Sequence, residues 1–168
     1  YRHRQSKGEV FGGRSPGLID GWVQRYSVGV TYQNDAYAPA PGHTAPTQLP
    51  SDEKLVAPFV RYGLIEDRFE KELNRNLIGR PEFFALGLAS TVQLGWAATG
   101  LGSSRNALLY SASVSRGFVP MPDHTFITSA AISGQYSTGH VRRQRLGAQA
   151  QYYLPQGKRW LIYASAGG

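Results

Sequence analysis

Phe83-Phe84-Ala85-Leu86-Gly87-Leu88-Ala89-Ser90-Thr91-Val92-Gln93-Leu94-Gly95-Trp96-Ala97 is the stretch whose reading decides the fold. Taken two residues at a time, one face carries Phe84, Leu86, Leu88, Ser90, Val92, Leu94 and Trp96. The other carries Phe83, Ala85, Gly87, Ala89, Thr91, Gln93, Gly95 and Ala97. Successive side chains of a strand point to opposite sides, so an extended chain here has one apolar face and one small or polar face. Interior glycines and the alternation both disfavour a helix. At roughly 3.3 Å per residue the segment reaches about 50 Å as one strand, well beyond ordinary strand length. A strand that long, with one aliphatic face, suggests the wall of a membrane barrel.

The same alternation recurs along the chain. Trp22, Gln24, Tyr26, Val28, Val30 and Tyr32 oppose Val23, Arg25, Ser27, Gly29, Thr31 and Gln33. Leu108, Tyr110, Ala112 and Val114 oppose a serine-rich face, and so do Phe126, Thr128, Ala130 and Ile132. Leu146, Ala148, Ala150, Tyr152 and Leu154 oppose Arg145, Gly147, Gln149, Gln151 and Tyr153, and a last strand starts near Trp160. Turn signals separate these runs: Gly12 to Gly17, Thr99 to Asn106, Gly117 to His124, Ser137 to Val141 and Pro155 to Lys158. A meander of antiparallel hairpins follows. Asn34 to Glu53 carries Pro39, Pro41, Pro46 and Pro50, so it reads as a long loop, in keeping with the external loops of outer-membrane barrels. From Lys54 to Asn76 three readings stay open: one long strand, two strands with a tight turn at Glu66-Asp67, or a short helix over Glu66 to Asn74.

The sidedness is explicit. Leu86, Leu88, Val92, Leu94, Trp96, Leu146 and Tyr152 are expected to face lipid, and Gln93, Arg145, Gln149 and Gln151 the lumen. The chain has 168 residues, 41% of them hydrophobic, and no apolar run of about 20 residues that would make a membrane helix. A barrel hides its membrane signal in such averages, because its two faces alternate. Cysteine is absent, which fits an oxidising compartment or surface. The formal net charge is +7, but the arginines are scattered (Arg25, Arg61, Arg116, Arg142, Arg143, Arg145) and form no compact nucleic-acid-binding motif. They suit the wet side of a barrel or the level of lipid phosphates.

Glu66-Asp67-Arg68-Phe69 leading to Asn76, then Gly79-Arg80-Pro81-Glu82 and Gly87, resemble the barrel of bacterial surface-antigen proteins. That superfamily includes the BamA and TamA outer-membrane assembly factors. The strand Arg25 to Tyr32 and the turn Leu101-Gly102-Ser103 support the likeness, which spans most of the chain as a loose strand-and-turn pattern. The resemblance implies an all-β fold: an antiparallel transmembrane β-barrel of 16 strands, of which residues 1–168 would be seven to nine. Periplasmic domains and the remaining strands would lie outside this sequence. It also implies a bacterial outer-membrane location and contact with outer-membrane lipid or lipopolysaccharide. Unfolded outer-membrane or secreted proteins would be the clients, with no cofactor and no covalent chemistry. Ser115-Arg116-Gly117-Phe118 matches the family's Arg-Gly-aromatic signature, but here it ends an alternating strand, and an ordinary strand end is the favoured reading.

Two other classes compete. Some barrels hydrolyse lipids with a Ser–His pair, and the candidates here are His43, His124 and His140 with Ser103, Ser104, Ser137, Asp35 and Asp123. No Gly-x-Ser-x-Gly nucleophile motif accompanies them, and loop histidines on a solvated surface are the simpler reading. A passive structural barrel or surface antigen is the other alternative. No zinc or calcium ligand spacing occurs.

Overall fold

The structure, a computed structural model, describes residues 1–42, 48–73, 81–156 and 160–168. Eleven strands follow one another: β1 (Arg2–Arg14), β2 (Leu18–Ile19), β3 (Trp22–Ala38), β4 (Glu53–Glu66), β5 (Phe69–Leu73), β6 (Pro81–Ala85), β7 (Ala89–Ala97), β8 (Ala107–Met121), β9 (His124–Ser137), β10 (His140–Pro155) and β11 (Leu161–Gly167). Nine of them form a single antiparallel sheet in the order β1-β3-β4-β7-β8-β9-β10-β11, with the short β2 also on β3. The sheet is not closed: β1 and β11 stand at opposite ends of the order and do not pair with each other. The all-β, antiparallel expectation holds at this level.

Tight turns make the meander possible. Asp20-Gly21 and Thr138-Gly139 both adopt positive φ at two successive residues, as two-residue hairpin turns require. β1 is not legible in the sequence as a full strand, yet it pairs with β3 from Arg2–Ala38 to Arg14–Tyr26. β3 likewise runs on to Ala38, so the loop expected from Asn34 covers only 39–52, and 43–47 lie outside the described residues.

The stretch from Phe83 to Ala97 is not one strand. It breaks at 86–88 into β6 and β7, and β4 breaks opposite it at 67–68 before β5. Ile65 faces Ala89 before the break and Phe69 faces Ala85 after it, so the register carries through. One long hairpin therefore bends, and its tip leaves the main sheet as the β5–β6 pair. The bend is held by backbone bonds: Glu66 N to Leu88 O and Leu86 N to Arg68 O, each 2.8 Å, and Gly87 N to Arg68 O at 2.9 Å. The Leu88 amide also donates to Glu66 Oε2 at 2.9 Å. Gly87 sits so close to Glu66 that a Cβ there would lie 2.2 Å from its carbonyl oxygen.

The bend sends the hairpin tip to one side of the sheet. Gly117 of β8 leaves room for Leu86, whose Cδ2 would be 2.4 Å from a Cβ at 117, and the Gly117 amide donates to Leu86 O. Leu86 is consequently buried on that side and not on the lipid-facing side expected for it. The alternation could not anticipate this, because the phase of a strand is lost at a break. Beyond Leu86, the Phe84 ring reaches Tyr153 of β10, centroid to centroid 5.8 Å. Of the three readings from Lys54 onward, the tight turn at Glu66-Asp67 and the helix are not found: the chain runs on in one direction as a long strand interrupted at 67–68, and Phe69–Leu73 is strand, while 74–76 lie outside the described residues.

The clash at Gly87 is with main chain, which cannot rotate away. Gly87→Ala is expected to cost about 2–3 kcal/mol, a typical overpacking penalty. At Gly8, where nothing lies within 4 Å of the added carbon, alanine is expected to change stability by less than about 0.5 kcal/mol. Denaturant unfolding of the two variants side by side checks this.

Candidate functional site

The two faces of the main sheet differ sharply in chemistry. Adjacent strands place partners on the same side, so the registers can be followed across the sheet. One row on the first face is Tyr26, Tyr62, Val92, Ala112, Ile132 and Leu146, over β3, β4, β7, β8, β9 and β10. The next is Val28, Val60, Leu94 and Tyr110. On the second face, the row beginning at Ser27 continues through Arg61, Gln93, Ser111, Ser133 and Arg145. A further row there is Arg25, Gly63, Thr91, Ser113, Ala131 and Gly147.

The first face is apolar and open. Val28, Val60, Leu94, Trp96 and Leu146 are all exposed, Leu146 at 74%. Aromatic rings border this band at both ends. Tyr26 and Tyr62 (ring centroids 5.2 Å apart), Phe118 and Phe126 lie toward one end; Tyr32, Trp96 and Tyr136 lie toward the other. Tyr26 to Tyr32 on β3 and Phe126 to Tyr136 on β9 are roughly 20–33 Å apart along the strands.

The second face is polar and forms the inside of a curve. β3 and β10 are five neighbours apart, about 24 Å in a flat sheet, yet Arg143 Nη1 of β10 donates to Asp35 Oδ2 of β3 at 2.8 Å. Only a strongly curled sheet brings them together. Arg143 reaches across from a β-bulge: the register shifts between Arg142 and Arg145, and Arg143 itself has φ 50°. Bulges bend a strand and re-aim a side chain in this way. Asp35 is 1% exposed. It also accepts from Gln5 Nε2 (2.7 Å) and Gln33 Nε2 (2.6 Å) and lies 3.1 Å from His3 Nε2. Arg143 Nη2 pairs with Glu53 Oε2 at 2.9 Å, Arg105 Nη2 with Glu53 Oε1 at 2.6 Å, and Arg105 also binds Gln135.

Farther along the trough Arg61 donates to Glu9 Oε1 at 2.6 Å and to Gln93 Oε1 at 2.8 Å, its guanidinium between the rings of Phe11 and Phe59. Of these groups Asp35, Glu9, Gln93, Gln135 and Arg143 line a cavity of about 820 Å³, together with Lys7, Ser111, Ser133 and Arg145. The β5–β6 tip folds in at the far end, against Gly117 and Tyr153.

The sequence-derived residues that are described fall as follows. Val92, Leu94, Trp96 and Leu146 are exposed on the convex face. Tyr152, also convex, hydrogen-bonds His124 Nδ1 at 2.6 Å, and Leu88 is half-buried at the bend. Gln93 and Arg145 line the trough, and Gln149 and Gln151 share its face through their partners Ser129 and Ile127. Glu66, Asp67, Arg68, Phe69 and Gly87 make the bend and its exit; Asp67 N donates to Gly21 O. Glu82 pairs with Glu72 in the β5–β6 ladder, while Asn76, Gly79 and Arg80 lie outside the described residues. Sequence reading misses Asp35, Glu53 and Arg143 as a connected group, since no local pattern joins residues so far apart.

Of the hydrolase candidates, Asp35 is the buried carboxylate of the trough, and the three serines serve other contacts. Ser103 Oγ bridges Val56, accepting from its N–H at 2.8 Å and donating to its carbonyl at 3.0 Å. Ser137 Oγ donates to Asn106 O and Ser104 Oγ accepts from Lys54 N, so these hydroxyls tie turns to strands. His124 is bonded to Tyr152, and His43 lies outside the described residues. No protein-family model, curated protein or solved structure matches the chain.

Removing Arg143 leaves a fully buried carboxylate with neutral donors and His3 alone. Arg143→Ala is expected to cost about 2–3 kcal/mol, below the full range for breaking a buried pair because the arginine is partly exposed. Arg116→Ala, on the convex edge beside Phe118, is expected to cost less than about 1 kcal/mol. Chemical denaturation of both variants measures the difference.

Proposed function

We propose that this chain forms part of the wall of a β-barrel in the bacterial outer membrane, with its convex face in lipid and its trough turned to water. One observation carries the reading: the sheet is built inside out for a water-soluble protein. Valines, leucines and aromatic rings stand exposed on the convex side. Among the described residues the buried apolar cluster is only Leu55, Ala57, Ala97 and Ala107, with Leu109 packed against it. So small a cluster is a poor match for the entropy of ordering a chain of this length in water. Lipid against the convex face removes the mismatch. The aromatic borders support the same placement: at a strand tilt of about 40° their spacing gives an apolar band of roughly 15–25 Å, comparable to the lipid-facing belt of such barrels.

The narrower reading is that the barrel belongs to the assembly and translocation type, which inserts proteins into the outer membrane or moves them across it. Its support is the resemblance at Glu66, Asp67, Arg68, Phe69 and Gly87, together with the inward-folded hairpin these residues create. Such a barrel does its work by perturbing the bilayer or admitting a polypeptide, without covalent chemistry.

The absence of cysteine lets single probes be introduced. Leu94→Cys and Leu146→Cys, carrying a fluorophore in lipid vesicles, are expected to be quenched by spin-labelled lipid and not by iodide; Gln93→Cys and Gln149→Cys are expected to behave in the reverse way. Arginine at Leu146 is expected to cost about 2–4 kcal/mol in a bilayer folding titration and arginine at Gln149 much less. Equal quenching and equal costs on the two faces would remove the barrel reading. For the narrower reading, depleting the full-length protein from its cell is expected to leave other outer-membrane proteins unfolded in the periplasm. Normal assembly under depletion would leave a barrel without that role.

A further inference from the structure

The acids and bases of the trough are arranged in successive levels along the strands. At one level Asp35 is met by Arg143, and at another Glu9 is met by Arg61, at 2.8 and 2.6 Å. Two further cations are not paired in this way. Lys7 and Gln33 are register partners on β1 and β3, and Arg145 stands just past the bulge on the opposite wall. Both cations line the cavity together with Asp35 and Glu9, but neither Lys7 nor Arg145 makes an ion pair among the described residues. Gln93, Ser111 and Ser133 line the same cavity, on consecutive strands of the row that runs from Arg61 to Arg145. The Gln93 carbonyl oxygen is taken by Arg61 Nε, which turns the amide N–H₂ outward as a donor.

We propose that this part of the trough is a binding site for a phosphate-type oxyanion, held between Arg145 and Lys7 with Ser111, Ser133 and Gln93 as hydrogen-bond donors. A tetrahedral dianion fits the donor set better than a monovalent ion does. Two cations approach from opposite walls, while hydroxyl and amide donors approach from the strands between them, so several oxygens are served at once. The fixed positive charge inside a curved, partly enclosed wall concentrates anions there. The site requires only that the trough be wet, so it stands whether or not the convex face lies in lipid.

The test is calorimetric titration of the full chain, folded in detergent, with inorganic phosphate and with pyrophosphate, at constant ionic strength set by chloride. Saturable binding is expected for both. It is expected to fall at least tenfold in Arg145→Gln and in Lys7→Gln, the loss typical of one charge-assisted contact, and to be unchanged in Arg116→Gln on the convex face. Ser133→Asp supplies an acid beside its register partner Arg145 and serves as the variant that should retain the fold: it is expected to abolish phosphate binding while raising the unfolding temperature. Binding that survives Arg145→Gln, Lys7→Gln and Ser133→Asp unchanged overturns the proposal, and so does absence of saturable binding to the native chain. Because folding in detergent is followed separately by circular dichroism, failure here is distinguishable from failure of the membrane reading, which the lipid-quenching probes address.

Discussion

Asp35 sits at the convergence of three strands, and the curvature of the sheet depends on how its charge is met. A carboxylate at that degree of burial is costly unless hydrogen-bonded on both oxygens. β1 contributes Gln5 and His3, β3 contributes Gln33, and β10 contributes Arg143 from five strands away. A flat sheet could offer only the first three. The arginine arrives because the sheet curls, and the curl is held because the arginine arrives. Glu53 extends the tie to the turn between β7 and β8 through Arg105. The far end of the trough is closed by apolar contact instead, with Leu86 on Gly117 and Phe84 on Tyr153.

This division explains why so little apolar surface is buried. In a soluble sandwich two sheets bury their apolar faces against each other. Here one sheet turns its polar face upon itself and leaves its apolar face outward. The interior is a network of ion pairs, amides and hydroxyls, in which Ser111, Ser113, Ser115, Ser129 and Ser133 keep the wall thin. Small residues on the concave side and bulky ones on the convex side also favour the direction of bending, since side chains crowd on the inside of a curve.

The wall is largely legible in the sequence, because period-two alternation over long runs is the mark of an extended chain with two unlike faces, and a helix does not produce it. Val92, Gln93, Leu94, Leu146 and Gln149 fall on the faces that the alternation assigns. What escapes is each place where the alternation changes phase. At 86–88 the break moves Leu86 to the concave side. At Arg142 to Arg145 a bulge adds a residue inside what reads as one basic run, and the turn before it is only Thr138-Gly139. β1 is obscured by glycines and charges, which suit an edge strand but imitate a loop. The trough network is invisible for a different reason: it joins residues separated by up to 108 positions, and nothing local announces such a contact. The resemblance to surface-antigen barrels directs attention to Glu66 through Phe69, and these residues do form a special feature, the bend, although part of the motif falls beyond the described residues.

The bulge in β10 also makes the strand unequal in its tolerance of changes in length. Elsewhere in β10 the loss of one residue would shift every later side chain to the opposite face. Gln149 would then stand among Val92 and Leu94, and Leu146 would enter the trough. At the bulge one residue is already surplus to the ladder. Its loss would restore plain pairing with Gly134 and leave both faces downstream unchanged, removing only the arm that spans the trough. Chain length at this point is therefore a setting for curvature that is independent of sidedness, and related sequences could tighten or relax the wall there by a single codon.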